Sequence, residues 1–225
     1  VKNSIIFHNG DKIINIKKYN MQYYLFESHV KQPPAFNLND IRKFAPGFHR
    51  RQLQFWLDKG YIRPFAGGYY MLANQDINEN ILFVMANRLY EPSYISLESA
   101  LAYHQVIPET VLGVTSVSSR RTRKIESDWG VFSYRSVQPQ LMFGYQVVEV
   151  GPKIKYKIAT LEKAVLDYLY LNHEISSAVD FEGLRWNREI LRPIVEGERF
   201  RGTLAIIDKQ ALRSRVDGLM RYLDA

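Results

Sequence analysis

The chain of 225 residues contains no cysteine. Disulfides and thiolate metal sites are therefore excluded. Its five histidines (His8, His29, His49, His104, His173) are scattered, and no H-E-x-x-H pair occurs, so a zinc site is not expected. A G-x-x-x-x-G-K-[ST] phosphate loop is missing, as is a G-x-S-x-G nucleophile elbow. No apolar run reaches the length that crosses a bilayer. The first residues, V-K-N-S-I-I-F-H-N-G-D-K, lack the apolar core of a secretory signal. The expectation is a cytoplasmic protein with no metal, cofactor, catalytic residue or membrane contact. One enzyme alternative stays open. Asp128 and Glu149 with Lys153 or Lys155 could hold a divalent metal as in a nuclease, although nothing in their spacing is distinctive.

What is present suffices for a core: 46% of residues are hydrophobic and 13% aromatic. The length suits one large domain or two small ones. The net charge of +7 is localised. Val1 to Leu72 carries 11 Lys or Arg against 4 Asp or Glu; Ala73 to His173 carries 10 against 10, and Glu174 to Ala225 carries 9 against 9. The whole excess thus lies in the first third, the footprint expected of a nucleic-acid module.

Within that third, Phe36 to Leu72 reads as a winged helix-turn-helix. Asn37 is an N-cap with Phe36 before it as a hydrophobic staple. A short helix over about Leu38 to Phe44 buries Leu38, Ile41 and Phe44, and Pro46-Gly47 stops it. A second helix, about Phe48 to Lys59, buries Leu53, Trp56 and Leu57, and Gly60 ends it. Tyr61 to Phe65 and Tyr69 to Leu72 flank Ala66-Gly67-Gly68, which is hairpin chemistry. The face that the core leaves over holds Arg51, Gln54 and Asp58, with His49 and Arg50 near the helix start. In a helix-turn-helix these positions meet base edges in the major groove, where Arg reads guanine and Gln reads adenine. Arg42, Lys43 and Arg63 complete the candidate double-stranded-DNA contacts. Winged domains also bind proteins, so the fold alone does not fix the ligand.

Upstream, Tyr19 to Lys31 reads as a first helix, and residues 1–18 could be an arm or a strand. Downstream, helices are expected over Ile81 to Leu89 and Tyr94 to Gln105, with Ser96 as N-cap, Ser99 three residues on, and His104 as a packing histidine. Strands are expected over Val111 to Ser118, Gly130 to Val137, Leu141 to Val150 and Lys153 to Ile158, forming a small, mostly antiparallel sheet. Arg120-Arg121-Thr122-Arg123-Lys124 lies between the first two, as a solvated loop or a phosphate contact. Ala159 to Leu171 is a helix capped by Thr160, with Lys163 and Asp167 as a surface i,i+4 ion pair. The tail reads as a helix over Phe181 to Val195, an extended piece at Gly202 to Asp208, and a last helix from Lys209 to Leu223. The expected fold is α+β: a winged helix-turn-helix over residues 1–75, then a mixed α/β domain over 76–225 with a helical C-terminal tail.

Three segments carry a family resemblance: Y-I-S-L-E-S-A-L-A-Y-H-Q-V-I-P (Tyr94 to Pro108), V-L-G-V-T-S (Val111 to Ser116) and I-A-T-L-E-K-A-V-L-D (Ile158 to Asp167). With L-D-K-G-Y-I and G-G-Y-Y-M-L upstream, the chain resembles the AbiEi antitoxins of bacterial abortive-infection toxin–antitoxin systems over about Phe36 to Leu171. The resemblance implies a cytoplasmic protein whose winged domain binds inverted repeats in its own promoter and represses it. Its C-terminal domain would neutralise a nucleotidyltransferase toxin, with or without direct contact. Ser96, Ser99, His104, Thr160 and Asp167 occupy the family's recurring positions. One departure is in the wing, where Phe65-Ala66 stand before Gly67 in place of a basic residue. The alternatives are a ligand-sensing winged-helix regulator without a toxin and, behind it, the nuclease.

From the helix face alone, Arg51→Ala or Gln54→Ala is expected to relax preference at single base positions, by about 1–3 kcal/mol each. Lys43→Ala should weaken all duplexes alike. Competition gel shifts with single-base variants measure both; an unchanged ranking for Arg51→Ala would show that the face is wrongly assigned.

Overall fold

A computed structural model describes residues 23–30, 34–108, 113–152 and 154–225. The candidate arm 1–18, the outer residues of the expected first helix, and Lys153 lie outside these. The N-terminal segment has helices α1 (Tyr23–Val30), α2 (Leu38–Phe44) and α3 (Arg50–Asp58), then strands β1 (Ile62–Pro64) and β2 (Tyr70–Leu72). α2 starts where the sequence expects. The Asn37 side chain accepts from Asp40 N at 3.0 Å, and Asp40 accepts from Asn37 N at 3.1 Å, a reciprocal cap that satisfies two amides without helical partners. Trp56 is the centre of this segment's core, 4.2 Å from the Phe26 ring and 5.3 Å from that of Phe48. Ile41, Leu53, Ile62 and Leu72 are buried in the same cluster.

β1 and β2 pair antiparallel, Ile62 against Leu72 and Pro64 against Tyr70. Gly67 and Gly68 turn the chain at φ +57° and +81°, which residues with a Cβ seldom adopt. Phe36 does more than staple α2. It bridges Tyr70 through two backbone hydrogen bonds of 2.8 and 2.7 Å, extending the hairpin by one more strand-like contact.

The second segment runs α4 (Glu79–Leu89), β3 (Ser93–Ile95), α5 (Leu97–Tyr103), β4 (Val114–Ser118), β5 (Arg123–Ser127), β6 (Gly130–Ser136), β7 (Tyr145–Gly151), β8 (Ile154–Ala159) and α6 (Leu161–Leu171). Four further helices follow: α7 (Ala178–Leu184), α8 (Arg188–Val195), α9 (Glu198–Ile207) and α10 (Gln210–Asp224). The α+β class holds. The sheet, however, is larger than expected and mixed: six strands in the order β5-β6-β4-β3-β8-β7, with parallel pairs β4/β6 and β3/β8.

Several expectations are corrected. Tyr94 opens no helix; it sits in β3, a three-residue strand buried at every position. A fully buried strand lacks the alternation by which short strands are read. Arg123 and Lys124 belong to β5, not to a loop. Gly202 to Ile207 is helical: Phe200, Leu204 and Ile207 of α9 recur at helical spacing and face the main core, while Ile206 is exposed, and this one-sided packing overrides the β preference of T-L-A-I-I. Phe181 to Val195 is two helices, broken at Arg185, which stands in the left-handed region at φ 53°.

The two segments are joined by a polar and aromatic seam. Arg88 of α4 donates to Ala35 O at 3.0 Å and pairs with Asp40 at 2.9 Å, while its guanidinium stacks on Tyr69. Phe65, beside the hairpin turn, stacks on Trp129 at 5.0 Å and 12°. A Cβ on Gly67 would come within 3.1 Å of Leu89. The seam therefore holds both the start of α2 and the tip of the hairpin. Arg88→Met is expected to destabilise by about 1–3 kcal/mol and to speed hydrogen exchange in α2 and β2 more than in β4 or β8. Uniform exchange rates would show that Arg88 does not hold the seam.

Candidate functional site

α3 turns Leu53 and Trp56 inward. At 100° per residue, Arg51, Gln54, Phe55 and Asp58 are then directed outward. Arg50 and Arg51 are exposed on α3, as are Arg42 and Lys43 in the last turn of α2. The structure thus brings five of the seven sequence-derived DNA candidates, Gln54 included, onto two consecutive helices, with His49 at the N-cap of the second. Lys43 pairs with Asp40 at 3.0 Å, and Gln54 Nε2 donates to Asp58 at 2.9 Å. Arg42, Arg50 and Arg51 form no ion pair among the described residues. An exposed ion pair contributes little, so Lys43 can exchange Asp40 for another anion at small cost.

Arg63 is the exception. Its guanidinium donates to Gln75 O at 2.7 Å and lies 5.0 Å from the Trp129 ring. With Phe65, Ala66 and Tyr69 also packed on the second segment's core, one side of the hairpin is a strut between the two segments, while Gly67 and Gly68 at its turn stay exposed. Phe55 was not among the sequence-derived candidates, yet it is 52% exposed on the outward face. Its signal was available, since an aromatic falls one helical turn after Arg51.

The second set of residues does not form an accessible site. Lys163 is 0% and Asp167 2% exposed, so their pair is not on the surface but inside the fold. Lys163 Nζ contacts Asp167 Oδ1 and donates to Tyr94 OH at 2.8 Å. Asp167 Oδ2 accepts from Tyr94 OH and from Ser96 Oγ, both at 2.8 Å. Burial, and then the Asp167 charge, push the Tyr94 hydroxyl far above its ordinary range, which keeps it a donor. Ser96 stands at the N-cap of α5, but its side chain makes no cap bond there. Ser99 Oγ accepts from Thr115 N at 2.8 Å, locking α5 to β4. His104 Nε2 lies 2.9 Å from Ala159 O, the geometry of a donated bond from a packing histidine, and Thr160 caps α6 through Lys163 N at 3.4 Å. Gly144 completes the enclosure: at φ +72°, a Cβ there would lie 2.9 Å from Lys163 Cγ.

Sequence reasoning paired Lys163 with Asp167 but placed the pair on the surface, and it missed Tyr94 and Ser96 as partners of Asp167. The only local signal was that Lys163 and Asp167 sit in a helix with Ala164, Val165, Leu166 and Leu169, which leaves them no polar face. The nuclease candidates do not meet. Asp128 lies at the β5–β6 turn and Glu149 on β7, at opposite edges of the sheet, roughly 20 Å apart at the usual strand spacing. Among the described residues no cluster of metal-ligating side chains occurs, and no helix is long and apolar enough to cross a membrane. In the basic run, Arg120 and Arg123 stack on Tyr90 at 4.3 and 5.4 Å. No family model matches this chain, and no curated protein matches it either.

Removing one partner of a buried ion pair leaves an uncompensated charge. Lys163→Met is expected to cost about 3–5 kcal/mol, and Lys163→Met with Asp167→Leu much less than that. Urea unfolding of the two variants tests this. Equal losses in both would place the stabilisation in packing and not in charge compensation.

Proposed function

We propose that this chain binds double-stranded DNA through a winged helix-turn-helix formed by α2, α3 and the β1–β2 hairpin. It acts as a cytoplasmic repressor of its own promoter and as an antitoxin against a nucleotidyltransferase toxin. The observation that supports DNA binding is the grouping of Arg42, Lys43, Arg50 and Arg51 on the exposed side of two consecutive helices, beside Gln54 and above a sealed aromatic core. Cations so placed fit phosphates, and the outward residues of α3 fit base edges. Repression of its own promoter and the antitoxin role come from the resemblance to AbiEi antitoxins. The charge partition suits that division, since the residues after Leu72 carry no net charge and favour a protein or RNA contact over a phosphate backbone. The packed hairpin means that duplex contact falls to the helices, without a wing in the minor groove.

Three phosphate contacts, Arg42, Lys43 and Arg50, give a slope of about −0.9 per contact in log affinity against log salt. The full chain is therefore expected to lose roughly fortyfold in affinity for a promoter duplex between 50 and 200 mM salt. Arg50→Ala with Arg51→Ala should flatten that slope by about a third, remove the Arg51 base contact and abolish promoter repression. Rescue of cells from the co-expressed toxin should persist. Salt-independent binding would remove the DNA reading; loss of rescue in a folded, abundant double variant would remove the separation of the two roles.

A further inference from the structure

The outward face of α3 carries one large apolar residue among its polar and charged ones. Phe26, Phe36 and Phe48 are sealed in the core around Trp56, whereas Phe55 is 52% exposed. It is the sixth residue of α3 and lies one turn after Arg51, on the same side. Arg51 precedes it by one turn, Asp58 follows it, and Lys59 Nζ is 5.8 Å from its ring. A ring set among charged side chains is poorly placed to seat an apolar protein partner. It is well placed in a major groove, where it meets the base edges beside Arg51. In a duplex the base faces are stacked, and thymine alone presents an apolar group there, its 5-methyl.

We infer that Phe55 is a specificity-determining residue of the reading helix, and that it packs against a thymine 5-methyl group in the major groove. Arg51 and Gln54 then supply the polar part of recognition and Phe55 the apolar part. The bound sequence contains thymine at a fixed step from the base met by Arg51. This inference rests on the DNA reading, and its test separates the two.

The probe is a duplex enriched from a random-sequence pool by the full chain. It is resynthesised with deoxyuridine in place of one thymidine at a time, which removes the methyl and keeps the pairing. The wild-type protein is expected to bind about fourfold more weakly at one or two adjacent positions, the effect of exposing one methyl-sized apolar group. Phe55→Ala should bind the thymidine and deoxyuridine duplexes equally while keeping its dependence on Arg51. Phe55→Leu, which restores an apolar side chain, should recover the discrimination. Tolerance of deoxyuridine at every position, or discrimination retained by Phe55→Ala, overturns the inference and leaves DNA binding intact. Failure to enrich or shift any duplex at low salt overturns both. If Phe55→Ala binds DNA like the wild type but no longer rescues cells from the toxin, the ring contacts a protein and the inference falls.

Discussion

The buried pair of Lys163 and Asp167 is the constraint around which the second segment closes. Moving two charges out of water costs several kcal/mol for each ion, and their attraction offsets this only when the remaining donors and acceptors are also matched. Tyr94, Ser96 and Lys163 supply that match at Asp167. They come from β3, the start of α5, and α6, so none of the three can move without exposing an unpaired group. Gly144 follows from the same requirement, because the Lys163 stem leaves no room for a side chain there. Ser99 with Thr115, and His104 with Ala159, fasten the same elements at their margins. A buried ionic centre is a weak source of net stability but a strong demand on geometry, and here it fixes one arrangement of strand and helices.

The second segment in turn carries the small N-terminal one. The first 72 residues hold the charge, and only part of their apolar surface is buried by their own core. Phe65, Met71 and Ala35 join the larger core, and Arg88 completes the surroundings of Asp40 at the start of α2. The hairpin that the proposed reading would otherwise offer to a minor groove is committed to Trp129 and Leu89. What remains outward is the face of α2 and α3. The protein thus exposes Arg42, Lys43, Arg50 and Arg51 on two helices, and these are joined to a segment whose charges sum to zero.

Local chemistry determined much of this. The cap at Asn37, the stop at Pro46-Gly47, the inward spacing of Leu53 and Trp56, the Thr160 cap and the glycine turn of the hairpin each depend on a few adjacent residues, and each stands where the sequence places it. The location of the +7 charge is likewise a property of the sequence alone. Other features depend on distant residues. Lys163 and Asp167 have the same i,i+4 spacing whether solvated or sealed, and only the arrival of β3 and α5 decides which. Gly202 to Ile207 has strand-like composition, and it is helical because Phe200, Leu204 and Ile207, at helical spacing, turn one face to the main core. Arg63 has the charge of a DNA contact, and Trp129, far along the chain, draws it into the protein. Periodicity and capping are written in neighbouring residues; burial, and with it the role of a charge, is set only when the tertiary structure brings remote ones together.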